Sequence, residues 1–199
     1  MDLAPWTSVT DATAYGRALL VGDRVRLRAL HEEDLPQLDR WWQDEELMAL
    51  QADAVRPRPP GSQTETFRRW SVNDSSTAVG FSVVARDGGE LVGHVTMWGA
   101  DVRTRCATLA IIVGSEHTGQ GYGTGAVRVA LRYAFQEMGL HRVQLQVWAA
   151  NDRALATYAR AGFREEGRRR EVSFHAGRWH DEVLMAVLEH EWRDLATDP

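Results

Sequence analysis

The chain has 199 residues, 44% of which are hydrophobic, and a formal net charge of −5 at pH 7. This length allows one well-filled core, and no segment reaches the roughly 18 apolar residues that would span a membrane. All 23 basic side chains are arginine, and the densest group of them, Arg168 to Arg170, lies between glutamates that offset it. Because binding to a nucleic-acid backbone needs a concentrated basic face, composition argues against both nucleic acid and membrane partners.

A single domain is expected over residues 21–195, with residues 1–20 as an N-terminal extension. The first residues include an acid and lack the basic region and apolar stretch of a secretory signal, which predicts a cytoplasmic location. Cys106 is the only cysteine, so the sequence offers no internal disulfide and no cysteine-based zinc cluster. The histidines lack the spacing of a metal site, and we therefore expect no metal cofactor.

The first predicted elements are a strand and two helices. Residues 25–30 alternate apolar side chains with arginines, which is the period-two pattern of a half-buried strand. Acids at 32–34, after His31, open a helix whose apolar stripe continues to Met48. Prolines break the chain after it, and Ser62 with Glu65 has the spacing of a capping box, which predicts a further short helix.

A β-rich segment and then the clearest helix follow. Residues 78–85 and 91–98 predict an antiparallel hairpin around a glycine turn, and residues 105–113 predict a third strand. Apolar side chains then recur at helical spacing over residues 127–138, and Gly139 ends that helix.

The last part of the chain predicts a strand, a helix and a hairpin. Apolar and polar residues alternate over 143–148. Asn151 can cap a short helix that Gly162 closes. Residues 165–174 and 182–188 predict two more strands joined by a turn. In this order the elements predict an α/β fold of the α+β type, with helices packed on a mixed sheet.

The glycine-rich loop before the clearest helix is the main candidate for a binding site. Its residues are Gln120, Gly121, Tyr122, Gly123, Thr124 and Gly125. The start of a helix offers unpaired N–H groups and the positive end of the helix dipole, which together suit phosphate. Glycine leaves room for the backbone to touch phosphate oxygens and allows positive φ. An ordinary glycine-rich turn without a ligand is the alternative interpretation.

Three kinds of phosphate loop have patterns close to this one. A Walker loop requires lysine, which the chain lacks. Residues 121–126 satisfy the loose dinucleotide pattern G-x-G-x-x-A, but no acid lies near positions 145–150 to hold a ribose, and the loop follows a run of antiparallel strands. Gln120, Gly123 and Gly125 satisfy the third pattern, Q/R-x-x-G-x-G/A.

The third pattern is the pyrophosphate motif of the GNAT superfamily of acyltransferases, and the chain resembles its RimJ and RimL branch of N-terminal acetyltransferases. Three further segments are similar to that branch in the expected order, at residues 23–35, 151–163 and 177–185. The resemblance implies the GNAT fold, a mixed and mostly antiparallel central sheet of about six to seven strands flanked by about four helices.

The resemblance also implies acetyl-CoA, or another acyl-CoA, as co-substrate. The backbone at the end of the third strand is expected to align the pantetheine arm, and the N–H groups of the glycine loop are expected to hold the diphosphate. Asn151 is expected to bond the pantetheine region, with a plain N-cap as its rival role. The predicted cofactor-binding residues are Val113, Gln120, Gly121, Tyr122, Gly123, Thr124, Gly125 and Asn151.

The catalytic residues are predicted in the same way. Tyr158 is expected near the thioester sulfur, where its phenol protonates the leaving thiolate, and a core aromatic is the alternative. Many relatives carry a glutamate near the start of the strand before the loop, whereas residues 107–109 here include no base. Glu116, His117, His94 or a carboxylate acting through water are the substitutes. We therefore predict Tyr158 and Glu116 as the catalytic residues.

The sequence thus predicts an N-acyltransferase, most simply an N-acetyltransferase, in which an amine attacks the thioester directly in a ternary complex. The expected acceptor is a primary amine of a peptide N-terminus or of a small molecule, and the acid-rich first helix favours a cationic one. The alternatives are a non-catalytic acyl-CoA-binding or regulatory domain, transfer of a larger acyl group such as succinyl, and a dinucleotide oxidoreductase. The number of tryptophans is compatible with a homodimer.

Overall fold

The computed structural model of the protein describes residues 5–51 and 55–197. Residues 1–4 of the predicted N-terminal extension lie outside the described residues. The strands form one seven-stranded sheet and are β1 (Val25–Arg28), β2 (Val79–Ala85), β3 (Leu91–Trp98), β4 (Cys106–Val113), β5 (Arg142–Trp148), β6 (Arg164–His175) and β7 (Arg178–Leu188). Their order across the sheet is β1-β2-β3-β4-β5-β7-β6.

Helices flank this sheet and connect its strands. They are α1 (Val9–Ala18), α2 (Leu35–Gln43), α3 (Glu45–Gln51), α4 (Thr64–Trp70), α5 (Tyr122–Gln136), α6 (Asp152–Arg160) and α7 (Glu189–Thr197). Short 3₁₀ turns precede α2 at Glu32–Asp34 and follow β4 at Ser115–His117. Of the helices in the described ranges, none combines the length and the apolar character needed to cross a membrane.

The sheet is antiparallel except where β4 meets β5. These two strands run parallel, and they pair only over Cys106–Thr108 of β4 and Arg142–Gln144 of β5. Beyond that point β4 continues to pair with β3, and β5 continues to pair with β7. The sheet therefore splits between β4 and β5, and the split leaves one backbone edge of Leu109–Val113 without a neighbouring strand in the described part of the chain.

The two faces of the sheet carry different helices. On one face, α5 packs against β1, β3 and β4, and its Val127, Ala130 and Leu131 are buried in the main hydrophobic core. On the other face, α2 and α4 enclose a smaller cluster that includes Ile112 of β4. The period-two alternation of the strands sends successive side chains to opposite faces, so each strand serves both layers.

Most predicted elements are confirmed, as is the mixed and mostly antiparallel sheet. The helices α1 and α7 were not predicted, so the described residues hold more helices than the expected four or so. The predicted first helix is also interrupted, because Asp44 ends α2 and its carboxylate accepts the amides of Glu46 and Leu47 at 3.0 and 3.1 Å to start α3. The limits of the predicted domain, residues 21–195, stay a prediction.

The predicted capping box of Ser62 and Glu65 is wrong. The N-cap of α4 is Gln63, and its side chain makes no capping bond. Instead, the carboxylate of Asp39 in α2 accepts the backbone N–H groups of Gly61 at 2.7 Å and of Gln63 at 2.9 Å. A tertiary contact has replaced the local cap, which spacing in the sequence cannot reveal.

Candidate functional site

A cleft of about 520 Å³ opens where β4 and β5 separate. Its walls are the free edge of β4, the end of β5, the first turn of α5 and one side of α6. Its volume lies within the range of about 300–1,000 Å³ that is usual for small-molecule sites. Predicted site residues among its lining are Val113, Gly121, Tyr122, Gly123, Thr124, Asn151 and Tyr158, whereas Glu116, Gln120 and Gly125 do not line it.

The glycine loop presents unpaired amides at one wall of this cleft. Gly121 is the N-cap of α5 and has φ +83°, a left-handed conformation that favours glycine. In residues 5–51 and 55–197, the backbone N–H groups of 121–124 have no acceptor from the protein. The N–H of Gly125, in contrast, donates to the carbonyl of Gly121 at 3.0 Å. The first helical hydrogen bond thus already uses the amide of Gly125, and the contact of this residue with a ligand stays a prediction.

Gly123 faces the cleft without being required by the fold. A Cβ at this position would lie 3.5 Å from Cγ2 of Thr157 and 3.6 Å from Cγ2 of Val113, which are ordinary van der Waals distances. Its φ is also outside the left-handed region. Since neither packing nor backbone conformation demands glycine here, the missing side chain leaves space for something that enters the cleft.

Val113 and Asn151 lie on either side of the opening. Val113 pairs with Gly93 of β3, while its other side faces the split in the sheet. The free edge of β4 can bond an extended chain as another strand would. Asn151 is the N-cap of α6, and its Oδ1 accepts the amide of Ala154 at 3.1 Å. The cap is thus confirmed and uses only the oxygen of the side-chain amide, and the ligand contact of Asn151 stays a prediction.

Tyr158 lines the cleft from α6 with a buried ring. The ring is 9% exposed and packs against Phe163 at a centroid distance of 5.7 Å. Its hydroxyl has no hydrogen-bonding partner within the described residues. Burial raises the pKa of Tyr158 to about 12. The phenol is therefore a protonated donor at neutral pH, without a protein acceptor competing for it.

Glu116 lies in the 3₁₀ turn after β4, next to the cleft and outside its lining. Both carboxylate oxygens are 3.1 Å from the indole Nε1 of Trp41, which donates to them. Burial acts to raise the pKa of Glu116, but hydrogen bonds from its own backbone and from Trp41 outweigh it and hold the pKa below its usual value. Glu116 is therefore an ionised group at neutral pH, and its catalytic role stays a prediction.

The two histidines considered as bases lie in different surroundings. His94 on β3 is 2% exposed, its Nε2 is 2.8 Å from Oγ of Ser71, and burial lowers its pKa to about 4. It does not line the cleft. His117 does line the cleft, and its Nε2 is 3.8 Å from Oε1 of Glu116. Of the named base candidates, His117 is thus the one with access to a ligand.

A set of polar and aromatic residues lies on the open face of the split sheet, and the sequence motifs pointed to none of its members on β5 and β7. Trp98 pairs with Thr108, and Trp148 pairs with Glu182, so these side chains project from the same face as Gln146. All five line the cleft. Glu182 accepts a hydrogen bond from Oγ of Ser173 at 3.2 Å and pairs with Nη1 of Arg169 at 3.4 Å. Alternation along β5 indicates which face Trp148 takes, but only the pairing with β7 brings Glu182 beside it.

Residues 24–164 match the family model of the acetyltransferase (GNAT) domain. The chain belongs to the GNAT acetyltransferase family. A solved structure of spermidine N-acetyltransferase from Vibrio cholerae, in complex with CoA and spermine, has the same fold as this GNAT chain. The two agree with a TM-score of 0.75 at 27% identity, over 85% of this chain and 98% of the Vibrio one.

Curated relatives of this GNAT chain include proteins with different acceptors in their names. The putative ribosomal N-acetyltransferase YdaF of Bacillus subtilis is 34% identical over 104 residues, which are 52% of this chain and 57% of YdaF. Spermidine N(1)-acetyltransferase of Escherichia coli K12 is 28% identical over 178 residues, which cover 84% of this chain and 88% of that enzyme. The match with YdaF thus spans little more than half of its length.

Metal ligands do not gather anywhere in the part of this GNAT chain that the structure describes. Within residues 5–51 and 55–197, no group of three or more His, Cys, Asp or Glu side chains is arranged to hold a metal ion.

Proposed function

We propose that this protein is an N-acetyltransferase that moves an acetyl group from acetyl-CoA to a primary amine. The observation that carries the proposal is the row of unpaired amides at residues 121–124, beside the free edge of β4, in a chain of the GNAT family. The amides would hold the diphosphate, because several N–H groups and a helix dipole converge there. A cytoplasmic location is part of the same proposal.

The acyl-CoA fits the cleft by chemistry as well as by size. The pantetheine arm would bond the free edge of β4 up to Val113, as an added strand does. The side-chain nitrogen of Asn151 is available to bond the same arm while Oδ1 caps α6. The absent side chain of Gly123 leaves the approach to the amides clear. Tyr158 would then face the thioester from α6.

The reaction would proceed by direct attack within a ternary complex. The neutral amine nitrogen bonds to the thioester carbonyl carbon, and the carbon–sulfur bond breaks. The phenol proton of Tyr158 passes to the departing thiolate, and the proton that the new amide nitrogen loses restores the phenol. We assign removal of the ammonium proton to His117, because it lines the cleft. Glu116, whose Oε1 lies 3.8 Å from Nε2 of His117, supplies a negative charge beside this base. Positioning of the two substrates supplies a large part of the rate.

The acceptor belongs on the open face of the split sheet. Glu182 and the indoles of Trp98 and Trp148 line that side, and a carboxylate beside aromatic faces suits a cationic aliphatic amine. The spermidine acetyltransferases among the relatives support a polyamine as the acceptor. The putative ribosomal N-acetyltransferase YdaF supports a peptide N-terminus as the acceptor and the RimJ and RimL branch as the subfamily. We propose the cationic small amine as the first candidate and the peptide N-terminus as the second.

One experiment tests activity and acceptor together. Thiol release from acetyl-CoA is measured with spermidine, with monoamines and with short peptides that carry free N-termini, and calorimetry measures CoA binding in parallel. Turnover with the polyamine at a lower KM than with peptides supports the proposal. Binding of CoA with no turnover on any amine would instead identify a binding or regulatory domain, and the absence of CoA binding would refute the assignment altogether.

A further inference from the structure

One side of α2 contacts the 3₁₀ turn after β4, which carries the proposed base. Gln37, Trp41 and Asp44 lie at positions i, i+4 and i+7, so they follow one side of the helix to its C-cap. Nε2 of Gln37 donates to Oε1 of Glu116 at 3.4 Å, and Oγ of Ser115 donates to Oδ2 of Asp44 at 3.2 Å. Between these two contacts, Nε1 of Trp41 donates to both carboxylate oxygens of Glu116 at 3.1 Å. The helix thus holds the turn through three side chains.

The indole of Trp41 also packs directly on this turn. A Cβ at Gly114 would lie 2.3 Å from Cε2 of the indole, which is too close for any side chain. Gly114 has φ −53°, an ordinary backbone conformation, so the indole and not the backbone requires glycine there. The imidazole of His117 meets the same indole edge-on, with a centroid distance of 5.8 Å and an interplanar angle of 90°. Because Trp41 is 3% exposed, its ring is fixed by packing on every side.

These contacts decide where the charge of Glu116 lies. Its Oε1 is 3.8 Å from Nε2 of His117, at which distance a carboxylate stabilises an imidazolium. The side chain of Glu116 is 51% exposed, so burial alone would not keep it in this position. The carboxylate of Glu90 is 3.9 Å from the same nitrogen, but in the described residues no other group holds its side chain there. Glu116 is therefore the carboxylate that the protein fixes beside His117, and Trp41 supplies the shortest contacts to it.

Building on the proposed function, we propose that Trp41 is a positioning residue for the reaction, because its indole N–H holds Glu116 beside the proposed base, His117. Trp41 itself does not line the cleft. In the step concerned, the acceptor ammonium loses a proton, His117 gains it, and the proton passes to water after the product leaves. The fixed carboxylate stabilises the imidazolium formed in that step. Without the indole N–H, the half-exposed carboxylate turns towards solvent and its charge is screened.

The test compares W41F with W42F in steady-state kinetics on the full chain. Phenylalanine at position 41 keeps an aromatic ring in the core and removes the N–H from Glu116. Trp42 is the next residue of α2 and meets Phe67 and Trp70 edge-on at 5.8 and 5.2 Å, which makes W42F a matched control for the loss of an indole. Thermal unfolding checks that each variant is folded. If W41F does not fold, G114A replaces it, because its methyl group forces the indole and the turn apart.

A double-mutant cycle shows whether Trp41 acts through Glu116. It combines W41F with E116A, since a glutamine at position 116 could still accept the indole N–H. We expect W41F to lower kcat by about tenfold, the lower end of what a hydrogen bond to a charged group contributes, because Glu116 is half exposed. Both KM values should stay within about twofold of the wild type, and W42F should keep kcat within about twofold. In the E116A background, W41F should have no further effect on kcat.

Three results overturn the inference while the wild type is active. The first is a kcat for the folded variant, W41F or G114A, that equals that of the wild type. The second is a loss of kcat in W41F that persists in full when E116A is present. The third is an equal loss in W41F and W42F, which would assign the effect to packing alone. Failure of the wild type to acetylate any amine would instead contradict the proposed function itself.

Discussion

Replacing Gly123 by alanine separates the needs of the fold from those of the ligand. Gly123 is the second residue of α5. The added methyl group would contact Thr157 and Val113 at 3.5 and 3.6 Å, without overlap. Alanine is more favourable than glycine in a helix by about 1 kcal/mol. We therefore expect the free energy of unfolding to stay the same or to rise by up to about 1 kcal/mol.

The affinity of Gly123→Ala for acetyl-CoA, in contrast, should fall. The methyl group lines the cleft beside the unpaired amides and would hold the diphosphate away from at least one of them. A charge-assisted hydrogen bond is worth about 1.5–3 kcal/mol, so the dissociation constant should rise by roughly 10- to 100-fold. Calorimetry with acetyl-CoA measures the affinity, and urea unfolding measures the stability of the same preparations.

Gly125→Ala is the matched control. Its methyl group would lie 3.4 Å from Cγ2 of Val25, on the core side of α5, and its amide already bonds Gly121. We expect its affinity for acetyl-CoA to stay within about twofold of the wild type, since no ligand contact is removed. Equal affinity of the wild type and Gly123→Ala for acetyl-CoA would refute the role of the loop. A loss of affinity that is larger in Gly125→Ala than in Gly123→Ala would refute it as well.

Three further predictions concern the reaction, the acceptor and the stability. Tyr158→Phe should lower kcat by about 10²- to 10⁴-fold, as loss of a general acid does, while calorimetry finds CoA affinity unchanged; a kcat near that of the wild type would contradict the proton-donor role. Trp148→Leu should raise KM for a cationic amine by about 2- to 30-fold with no change for acetyl-CoA, and equal effects on both substrates in steady-state kinetics would count against the acceptor face. Burial lowers the pKa of His94 from its ordinary value of 6.5 to about 4 in the folded protein. As the pH falls below 6.5, a proton therefore binds this side chain in the unfolded state but not in the folded one, which lowers the free energy of unfolding. Urea unfolding should therefore find about 2 kcal/mol less stability at pH 5 than at pH 7, and His94→Gln should lack that difference; an unchanged pH dependence in the variant would rule out His94 as its source.

Local patterns in the sequence predicted the elements that bury apolar faces. The alternation in β1 and β5 and the helical spacing in α5 follow directly from burial on one side. Helix α1 has no buried residue, so hydrophobic spacing could not reveal it, although Ser8 and Asp11 do form a capping box that could have been recognised.

Details of the site depended on contacts between distant parts of the chain. The motif that includes Gly125 predicted a phosphate loop, but it could not tell which amides the helix itself uses. The register between β5 and β7, set by residues far apart in sequence, decides that Glu182 joins Trp148 in the cleft. Likewise, the sequence offered His117 as one of several possible bases, and only its place at the cleft wall sets it apart from His94 and Glu116.

The central claim is that the unpaired amides at residues 121–124 hold the diphosphate of CoA. Nuclear magnetic resonance of protein labelled with ¹⁵N only at glycine tests it directly, with the Gly121→Ala, Gly123→Ala and Gly125→Ala variants each assigning the signal that it loses. On addition of acetyl-CoA, the amide protons of Gly121 and Gly123 should shift downfield while that of Gly125 stays nearly in place. Saturation with acetyl-CoA that leaves Gly121 and Gly123 unshifted would contradict the account.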